Sequence, residues 1–126
     1  MTEKRRTIIA VDDNNTTLVA CKKILKPFYE VYPAPSASRM FKLMERIKPD
    51  LILLDVEMPD INGYEAARML KEEAAFKGIP IIFLTARNDP VSEKIGFNLG
   101  AVDYIPKPVA GDKLIERIEK LFSSPG

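Results

Sequence analysis

The run LILLD, residues 51–55, places an aspartate directly after four apolar residues, and three other runs of the chain have the same design. TIIAV precedes Asp12, PIIFL precedes Thr85 and DYIP precedes Lys107. Short runs that are apolar almost throughout are typical of parallel strands covered on both faces. The carboxyl ends of such strands meet at one edge of a sheet, where ligands bind in open α/β folds. We therefore expect these four polar positions to lie together.

Strand-like and helix-like segments alternate along the chain. The predicted strands are 7–11, 30–32, 51–54, 81–84 and 103–105. Apolar side chains recur at helical spacing within 36–48 and 112–122, and a further helix is expected over 64–71. This alternation predicts an α/β fold, a (βα)5 doubly wound parallel five-stranded sheet. For this length we expect one domain over residues 1–126, with its core in about 6–122.

Residues that begin and end helices agree with this segmentation. Asp89 before Pro90 is the pattern of an N-cap followed by proline at the first helical position. Gly100 stands where a left-handed C-terminal cap is expected. The final four residues, SSPG, are expected to form a frayed end. Four prolines are expected to bound elements rather than lie inside them: Pro27, Pro33, Pro35 and Pro49.

The composition excludes several kinds of site. The 19 Lys and Arg against 18 Asp and Glu give a net charge of +1, so direct nucleic-acid binding has no electrostatic support. The only basic cluster, residues 4–6, is interpreted as a solvated lead-in to the first strand. The chain contains no histidine, which excludes His-based zinc sites and Ser-His-Asp triads.

The single cysteine, Cys21, cannot form an internal disulfide and is in helical phase with Leu18, Ile24 and Leu25. We expect it to be a buried core residue rather than a redox sensor. No apolar stretch approaches the roughly 20 residues that span a bilayer, and the N-terminus lacks the apolar segment of a signal peptide. No membrane association and a cytoplasmic location are the expectations that follow.

The three acidic residues Asp12, Asp13 and Asp55 are the candidate metal ligands. Individually, the pair could form an Asx turn, and Asp55 could cap the following helix. Together at one sheet edge, however, three carboxylates repel one another and are costly to bury. Mg2+ would compensate this charge, since it binds one or two carboxylates with backbone oxygen and water.

Mg2+ beside a carboxylate indicates phosphoryl transfer, in which Asp55 acts as the nucleophile and forms an acyl phosphate. Lys107 would supply a positive charge and Thr85 a hydroxyl donor to the phosphoryl oxygens. In isolation Thr85 would be interpreted as an ordinary strand residue and Lys107 as an ordinary surface lysine. Their shared position at the ends of strands favours the functional interpretation.

With these motifs in place, the chain resembles the response-regulator receiver domain of two-component signalling, and in particular single-domain regulators of the chemotaxis type. The resemblance covers roughly Arg6 to Phe122. Its motifs are VDDN (11–14), LILLDVEMPDINGYE (51–65), PIIFLTA (80–86) and GAVDYIPKP (100–108). It implies a flavodoxin-like strand order 2-1-3-4-5.

The resemblance also assigns roles to individual residues. It makes Asp55 the phosphoacceptor and Asp12 and Asp13 the acidic pair that holds Mg2+, together with the backbone carbonyl of Glu57. Thr85 and Lys107 become the catalytic partners of the phosphoryl group. Two further features are implied: Tyr104 as a switch aromatic that turns inward when Thr85 moves, and a cis peptide before Pro108.

Two features depart from or vary within this pattern. Val109 replaces the usual aromatic after Lys-Pro, which is expected to loosen packing beneath the last loop. Glu57 and Arg87 occupy variable positions that flank the site, and we hypothesise that they pair across its mouth and screen the attacking water. The alternative is two solvated charges that contribute little. Gly63, in the loop after Asp55, is expected to need a positive φ.

The leading hypothesis is a switch phosphorylated by a sensor histidine kinase. The change would reach the surface of the fourth helix, fifth strand and fifth helix, about Asp89–Phe122, which binds an output partner or a second copy of the chain. The chain would then be no enzyme beyond its own phosphorylation and dephosphorylation. The alternatives are a phosphorylation-independent interaction module and an aspartyl-phosphate hydrolase with DVE (55–57) as its motif. A flavin-binding protein is disfavoured because DDNN stands where a phosphate loop would be.

Overall fold

A computed structural model describes residues 5–123 of the protein. Five strands and five helices alternate strictly along the chain. The strands are β1 (Thr7–Val11), β2 (Glu30–Ala34), β3 (Leu51–Leu54), β4 (Ile81–Thr85) and β5 (Asp103–Pro106). The helices are α1 (Asn15–Leu25), α2 (Ala37–Leu43), α3 (Gly63–Glu72), α4 (Pro90–Asn98) and α5 (Gly111–Ser123). The predicted (βα)5 fold is confirmed.

All strand pairs are parallel, and the sheet order is β2-β1-β3-β4-β5, as predicted. The last residue of β1 pairs with the last residue of β3, so Asp12 and Asp55 leave neighbouring strands at the same level. The last residue of β4, Thr85, pairs with the last residue of β5, which directly precedes Lys107. The register therefore brings the four polar positions to one edge of the sheet.

Two apolar cores cover the two faces of the sheet, as a doubly wound fold requires. Residues i and i+2 of each strand enter the same core, because side chains alternate along a strand. One core packs the sheet against α1 and α5 and includes Ile8, Leu53, Cys21, Leu25, Leu114 and Ile118. The other packs it against α2 and α3 and includes Ile9, Leu54, Phe83, Met40, Ala66 and Leu70. Cys21 is thus a core residue, as predicted.

Two of the predicted elements differ from the structure by more than one residue at a boundary. Pro33 lies inside β2, where it pairs with Ala10, rather than bounding the strand. An edge strand tolerates proline because one row of its backbone groups has no strand partner, and β2 is such an edge. The helix expected over 36–48 ends at Leu43, after which two i→i+3 backbone bonds tighten the chain.

The helix-cap predictions are confirmed and one glycine prediction is wrong. The Asp89 side chain accepts from the Ser92 N–H, with Pro90 in the first turn, and Gly100 has a φ of 98°. Gly63 was expected to need a positive φ, but within residues 5–123 Gly100 is the only glycine with one. Gly63 is needed instead for space, because a Cβ there would lie 2.0 Å from the carbonyl oxygen of Asp55.

The two ends of the chain were predicted as solvated or frayed. Lys4 lies outside the described residues, whereas the exposed Arg5 donates to the Lys26 carbonyl at 2.7 Å and the Arg6 guanidinium lies 4.5 Å from the ring centroid of Phe122. Ser123 ends α5, and 124–126 lie outside the described residues. Across residues 5–123, no helix has the length and apolarity to cross a membrane.

Candidate phosphoryl-transfer site

Three carboxylates meet at the carboxyl edge of the sheet, as the strand ends predicted. Asp12, Asp13 and Asp55 each offer one oxygen, and these oxygens all lie within 4.8 Å of one another. Asp12 and Asp55 are buried, whereas Asp13 is exposed. The Asp12 carboxylate also accepts the N–H of Asn14 at 2.8 Å, just before α1. One carboxylate therefore keeps a solvent path to an otherwise enclosed acidic cluster.

Lys107 supplies the positive charge in this cluster. Its Nζ donates to Asp12 Oδ2 at 2.5 Å and lies 3.6 Å from Asp55 Oδ2. Burial by itself would lower the pKa of Lys107, but the hydrogen bond to Asp12 and the charges of both aspartates outweigh it and raise that pKa. Lys107 is therefore a firmly protonated group held between the two buried carboxylates. The peptide between it and Pro108 is cis, as predicted.

The surroundings of Asp55 disfavour the charged form of its carboxyl group. Burial raises its pKa, the charge of Asp12 raises it further, and the Thr85 hydroxyl and Lys107 oppose the shift only in part. One lysine thus does not fully compensate three clustered acids. The remaining negative charge is what a divalent cation would neutralise.

The donor set fits Mg2+. It consists of carboxylate oxygens of Asp12, Asp13 and Asp55, and Mg2+ prefers such oxygens, supplemented by backbone carbonyls and water. The raised pKa of Asp55, caused by burial and by the charge of Asp12, is consistent with a cation at this cluster. Glu57, whose backbone carbonyl the resemblance adds to the ligands, follows Asp55 by two residues with its side chain exposed.

Thr85 lies at the end of β4 with no exposed surface. Its hydroxyl oxygen accepts the N–H of Arg87 at 3.2 Å, which ties it to the loop before α4. Its hydroxyl also lowers the pKa of Asp55, although burial dominates that pKa. Thr85 is thus placed between the acidic cluster and the loop that leads to α4.

Tyr104 points inward in this structure. It is 3% exposed, and its hydroxyl donates to the Arg87 carbonyl at 2.6 Å. Its ring packs against Phe83 and Phe97, with centroid distances of 5.7 and 6.4 Å. Burial raises the pKa of Tyr104, and the contact with the Tyr64 hydroxyl adds to the shift, so the Tyr104 hydroxyl keeps its proton.

Glu57 and Arg87 face each other across the mouth of the site. Arg87 Nη1 lies 3.8 Å from Glu57 Oε2, and both side chains are about half exposed or more, at 48% and 69%. The same cleft is lined by Asp13, Met58 and Tyr64. The predicted pairing is therefore geometrically present, as a long and solvated contact. Val109, beneath the last loop, is half-buried and packs against the core with α1 and α5.

Several residues around the site were not predicted from the sequence. Tyr64 donates to the Ser92 carbonyl at 2.8 Å, and Ser92 Oγ accepts from Arg87 Nε at 3.0 Å. On the predicted output surface, Arg117 makes a two-point ion pair with Asp103, with its Nε at 2.7 Å. These contacts join residues 5 to 28 positions apart, and no local pattern predicts them; the i, i+14 pair of Asp103 and Arg117 has only opposite charge to suggest it.

The arrangement has close counterparts among known proteins. A family model for the response regulator receiver domain matches residues 8–119. Protein PilH of Pseudomonas aeruginosa is 32% identical over 117 residues, which are 92% of this chain and 97% of that protein. A probable cyclic di-GMP phosphodiesterase of Vibrio cholerae is 37% identical over 112 residues, 89% of this chain and 25% of that protein. The chain spans only 17% to 50% of several other curated relatives.

Solved structures agree with these matches. A putative response regulator from Chloroflexus aurantiacus superposes with a TM-score of 0.90 at 30% identity. The superposition covers 96% of this chain and 100% of that chain. The non-phosphorylated receiver domain of HemR from Leptospira biflexa superposes with a TM-score of 0.87 at 31% identity, covering 97% and 98% of the two chains. With the family model matching most of its length, this chain belongs to the response regulator receiver domain family of two-component systems.

Proposed function

We propose that this chain is a phosphorylation-controlled switch in which Asp55 accepts a phosphoryl group from a phosphohistidine of a sensor histidine kinase. The observation that carries the proposal is the placement of Asp55. It is a buried carboxylate at a strand end, within 4.8 Å of two further carboxylates and 3.6 Å from a protonated amine. The family membership supports the same role.

The proposed transfer exchanges one bond to phosphorus for another. An Asp55 oxygen attacks phosphorus, the P–N bond to histidine breaks, and the new P–O bond makes an acyl phosphate. Lys107 stands beside the attacking Asp55 carboxylate as a counter-charge, and the Thr85 hydroxyl supplies a donor for a phosphoryl oxygen. Asp12, Asp13, Asp55 and the Glu57 carbonyl would hold Mg2+, which would supply charge neutralisation at the phosphoryl oxygens. Water later cleaves the acyl phosphate, and no external substrate is turned over.

The output of the switch is proposed to leave through the surface of α4, β5 and α5. Thr85 contacts the loop before α4 through the Arg87 N–H, and Tyr104 contacts the same loop through the Arg87 carbonyl. A shift of Thr85 toward a phosphoryl group would therefore disturb a loop to which β5 is also bonded. Exposed apolar residues are present on α4 for a partner, notably Val91 and Ile95.

The decisive experiment is intact-protein mass after incubation with acetyl phosphate, with and without Mg2+, beside an Asp55→Asn control. We expect one added phosphoryl group that requires Mg2+ and is absent from the control. No gain under any condition would overturn the proposal and favour the phosphorylation-independent interaction module. Turnover of small phosphate esters would favour the hydrolase instead.

The partner of the output surface is tested separately by light scattering with Mg2+ and beryllofluoride, a phosphoryl mimic. A doubled mass would identify a second copy of this chain as the partner. An unchanged mass in a protein that does accept phosphate would contradict self-association and leave a different protein as the partner.

A further inference from the structure

The inward position of Tyr104 is supported from α3 by a residue outside the predicted site. Tyr64 lies directly after Gly63 at the start of α3, and its ring packs edge-on against Phe83 with centroids 5.4 Å apart. Its hydroxyl oxygen lies 3.3 Å from that of Tyr104. The two tyrosines and Phe83 thus form one aromatic group between α3, β4 and β5.

Each tyrosine hydroxyl has its own backbone acceptor in the segment that leads into α4. Tyr104 donates to the Arg87 carbonyl at 2.6 Å, and Tyr64 donates to the Ser92 carbonyl at 2.8 Å. These distances are shorter than the 3.3 Å between the hydroxyls, so each proton is directed to the backbone. Tyr64 therefore fixes the first turn of α4, while Tyr104 fixes the loop before it.

Ser92 joins the two attachment points. It is 3% exposed, its Oγ accepts from Arg87 Nε at 3.0 Å, and it donates to Asp89 Oδ1 at 2.7 Å. Tyr64 thus binds the backbone carbonyl of Ser92, and the hydroxyl of the same residue orients the Arg87 side chain. Tyr64 also lines the mouth of the acidic site with Glu57 and Arg87. Among the two tyrosines and Phe83, Tyr64 is the residue that both lines the cleft and contacts Tyr104.

α4 is also shaped to accept the inward ring. A Cβ on Gly96 would lie 2.8 and 2.9 Å from two ring carbons of Tyr104 and 3.1 Å from Phe83. Contacts under 3.0 Å are not tolerated by packed side chains, so a larger residue at position 96 would displace the Tyr104 ring. The site of the ring is therefore prepared by α3 on one side and by α4 on the other.

We propose that Tyr64 is a positioning residue that holds Tyr104 inward before Asp55 is phosphorylated, by fixing the first turn of α4 through the Ser92 carbonyl. The inference rests on the proposed switch, because Tyr104 matters to function only if the α4-β5-α5 surface is the output. It predicts that the Tyr64 hydroxyl stabilises the inward position of Tyr104 in the unphosphorylated protein. A variant without this hydroxyl would depend more on phosphorylation to bring Tyr104 inward.

The test is NMR of ring-labelled tyrosine in the metal-free protein, where the chain's four tyrosines give four assignable signals. The inward Tyr104 ring is flanked by Phe83 and Phe97, so its signal is displaced by their ring currents. Tyr64→Phe keeps the ring and removes the hydroxyl. We expect the Tyr104 signal to move toward the position of an exposed tyrosine, and Mg2+ with beryllofluoride to restore it. A merely structural loss would not be restored in this way.

The matched control is Tyr29→Phe, which removes a hydroxyl from an aromatic pair with Phe122. A Tyr104 signal that moves no further in Tyr64→Phe than in Tyr29→Phe would overturn the inference. Gly96→Ala is the second variant and should displace Tyr104 by sterics, whereas Gly78→Ala, with nothing within 4 Å, should not. If the Tyr104 signal did not move in Gly96→Ala, the conclusion that α4 is shaped to accept the inward ring would be contradicted.

Failure of the inference and failure of the proposed function remain distinguishable. The metal-free comparison of Tyr64→Phe with Tyr29→Phe requires no phosphorylation and decides the positioning role alone. The mass gain of the wild-type chain with acetyl phosphate decides the phosphoryl chemistry alone. A chain that accepts phosphate with Tyr104 unaffected by Tyr64→Phe would keep the proposed function and lose the inference.

Discussion

Gly63 packs directly on the peptide of Asp55. A Cβ at residue 63 would lie 2.0 Å from the Asp55 carbonyl oxygen, and the Gly63 N–H donates to the Val56 carbonyl at 2.7 Å. The loop after β3 therefore folds back so closely that α3 begins on the backbone of the proposed phosphoacceptor. No side chain fits between the two segments.

Gly63→Ala is expected to destabilise the protein because the loop must move away from Asp55. Overpacking of this kind costs about 1–3 kcal/mol in the free energy of unfolding, and acceptance of phosphate from acetyl phosphate should slow with it. Urea denaturation measures the first effect and intact mass the second. Gly78→Ala is the control, since a Cβ there meets nothing within 4 Å and should change stability by less than about 0.5 kcal/mol. Equal effects of the two substitutions would refute the packing argument.

Asp55→Asn is expected to stabilise the metal-free protein at neutral pH. Burial and the charge of Asp12 raise the pKa of Asp55 above its ordinary value of 3.8, so ionised Asp55 costs the folded state more than the unfolded state. That cost is present above the raised pKa and disappears as the pH falls below 3.8. The gain in unfolding free energy should therefore shrink from pH 7 toward pH 4. Lys107 keeps its bond to Asp12 in the variant.

Mg2+ is expected to reduce the stability advantage of Asp55→Asn over the wild-type protein. If the folded carboxylates hold the ion as proposed, saturating Mg2+ should raise the thermal midpoint of the wild-type protein more than that of Asp55→Asn. EDTA should return both to their metal-free values. A stabilisation by Asp55→Asn that is the same at pH 4 and pH 7 would argue against the electrostatic cause.

Lys107→Met is expected to lower the metal-free stability by about 2 kcal/mol. Removing one partner of a fully buried ion pair costs about 3–5 kcal/mol, and the Lys107 side chain retains 20% exposure, which reduces the loss. Thermal unfolding in EDTA measures it. The control is Arg68→Met, which breaks the exposed pair with Glu65 and should cost under about 1 kcal/mol. Similar losses in the two variants would show that Lys107 is an ordinary surface lysine.

Cys21 is expected to be unreactive in the folded protein. Burial raises the pKa of its thiol to about 11, with the charge of Asp12 contributing, so at pH 8 only on the order of one thiol in a thousand is ionised. A thiol reagent at pH 8 should label the native chain slowly and the urea-unfolded chain at once. Rapid labelling of the native protein, with its circular dichroism intact, would restore the redox-sensor alternative.

The acidic site was predictable because its residues carry local patterns. An apolar run precedes each of its residues Asp12, Asp55, Thr85 and Lys107. Parallel register brings the ends of these strands to one edge of the sheet, independently of how the helices pack. The wrong predictions for Pro33 and Gly63 concern properties that depend on neighbours distant in the chain. Pro33 was misplaced because only the sheet order shows that β2 is an edge.

The contacts around Tyr64 and Gly63 could not be predicted for the same reason. A glycine in a loop can be required for its φ or for its lack of a side chain, and only the 2.0 Å approach to Asp55 distinguishes the two. The bond from Tyr64 to the Ser92 carbonyl spans 28 residues and ends on a backbone atom, which has no residue type to identify it. Such contacts are set by helix packing, which the apolar pattern places only by face.

Arg87→Ala is expected to shorten the lifetime of phosphorylated Asp55 without a comparable loss of stability. The Arg87 guanidinium lies 3.8 Å from the Glu57 carboxylate across the cleft mouth, where the pair would screen water from the acyl phosphate. An exposed pair contributes under about 1 kcal/mol, and tenfold in rate requires about 1.4 kcal/mol. The acceleration should therefore be severalfold and below tenfold.

The measurement is loss of the phosphoryl group by intact mass after acetyl phosphate is removed. Glu57→Gln and the double variant complete the comparison. If the two residues act as a pair, the double variant should lose phosphate no faster than either single variant, because each substitution already opens the mouth. Since Arg87 also donates to Ser92, Glu57→Gln, which leaves that bond intact, is the cleaner variant. Multiplied effects in the double variant, or a rate unaltered by Arg87→Ala, would show two independent solvated charges.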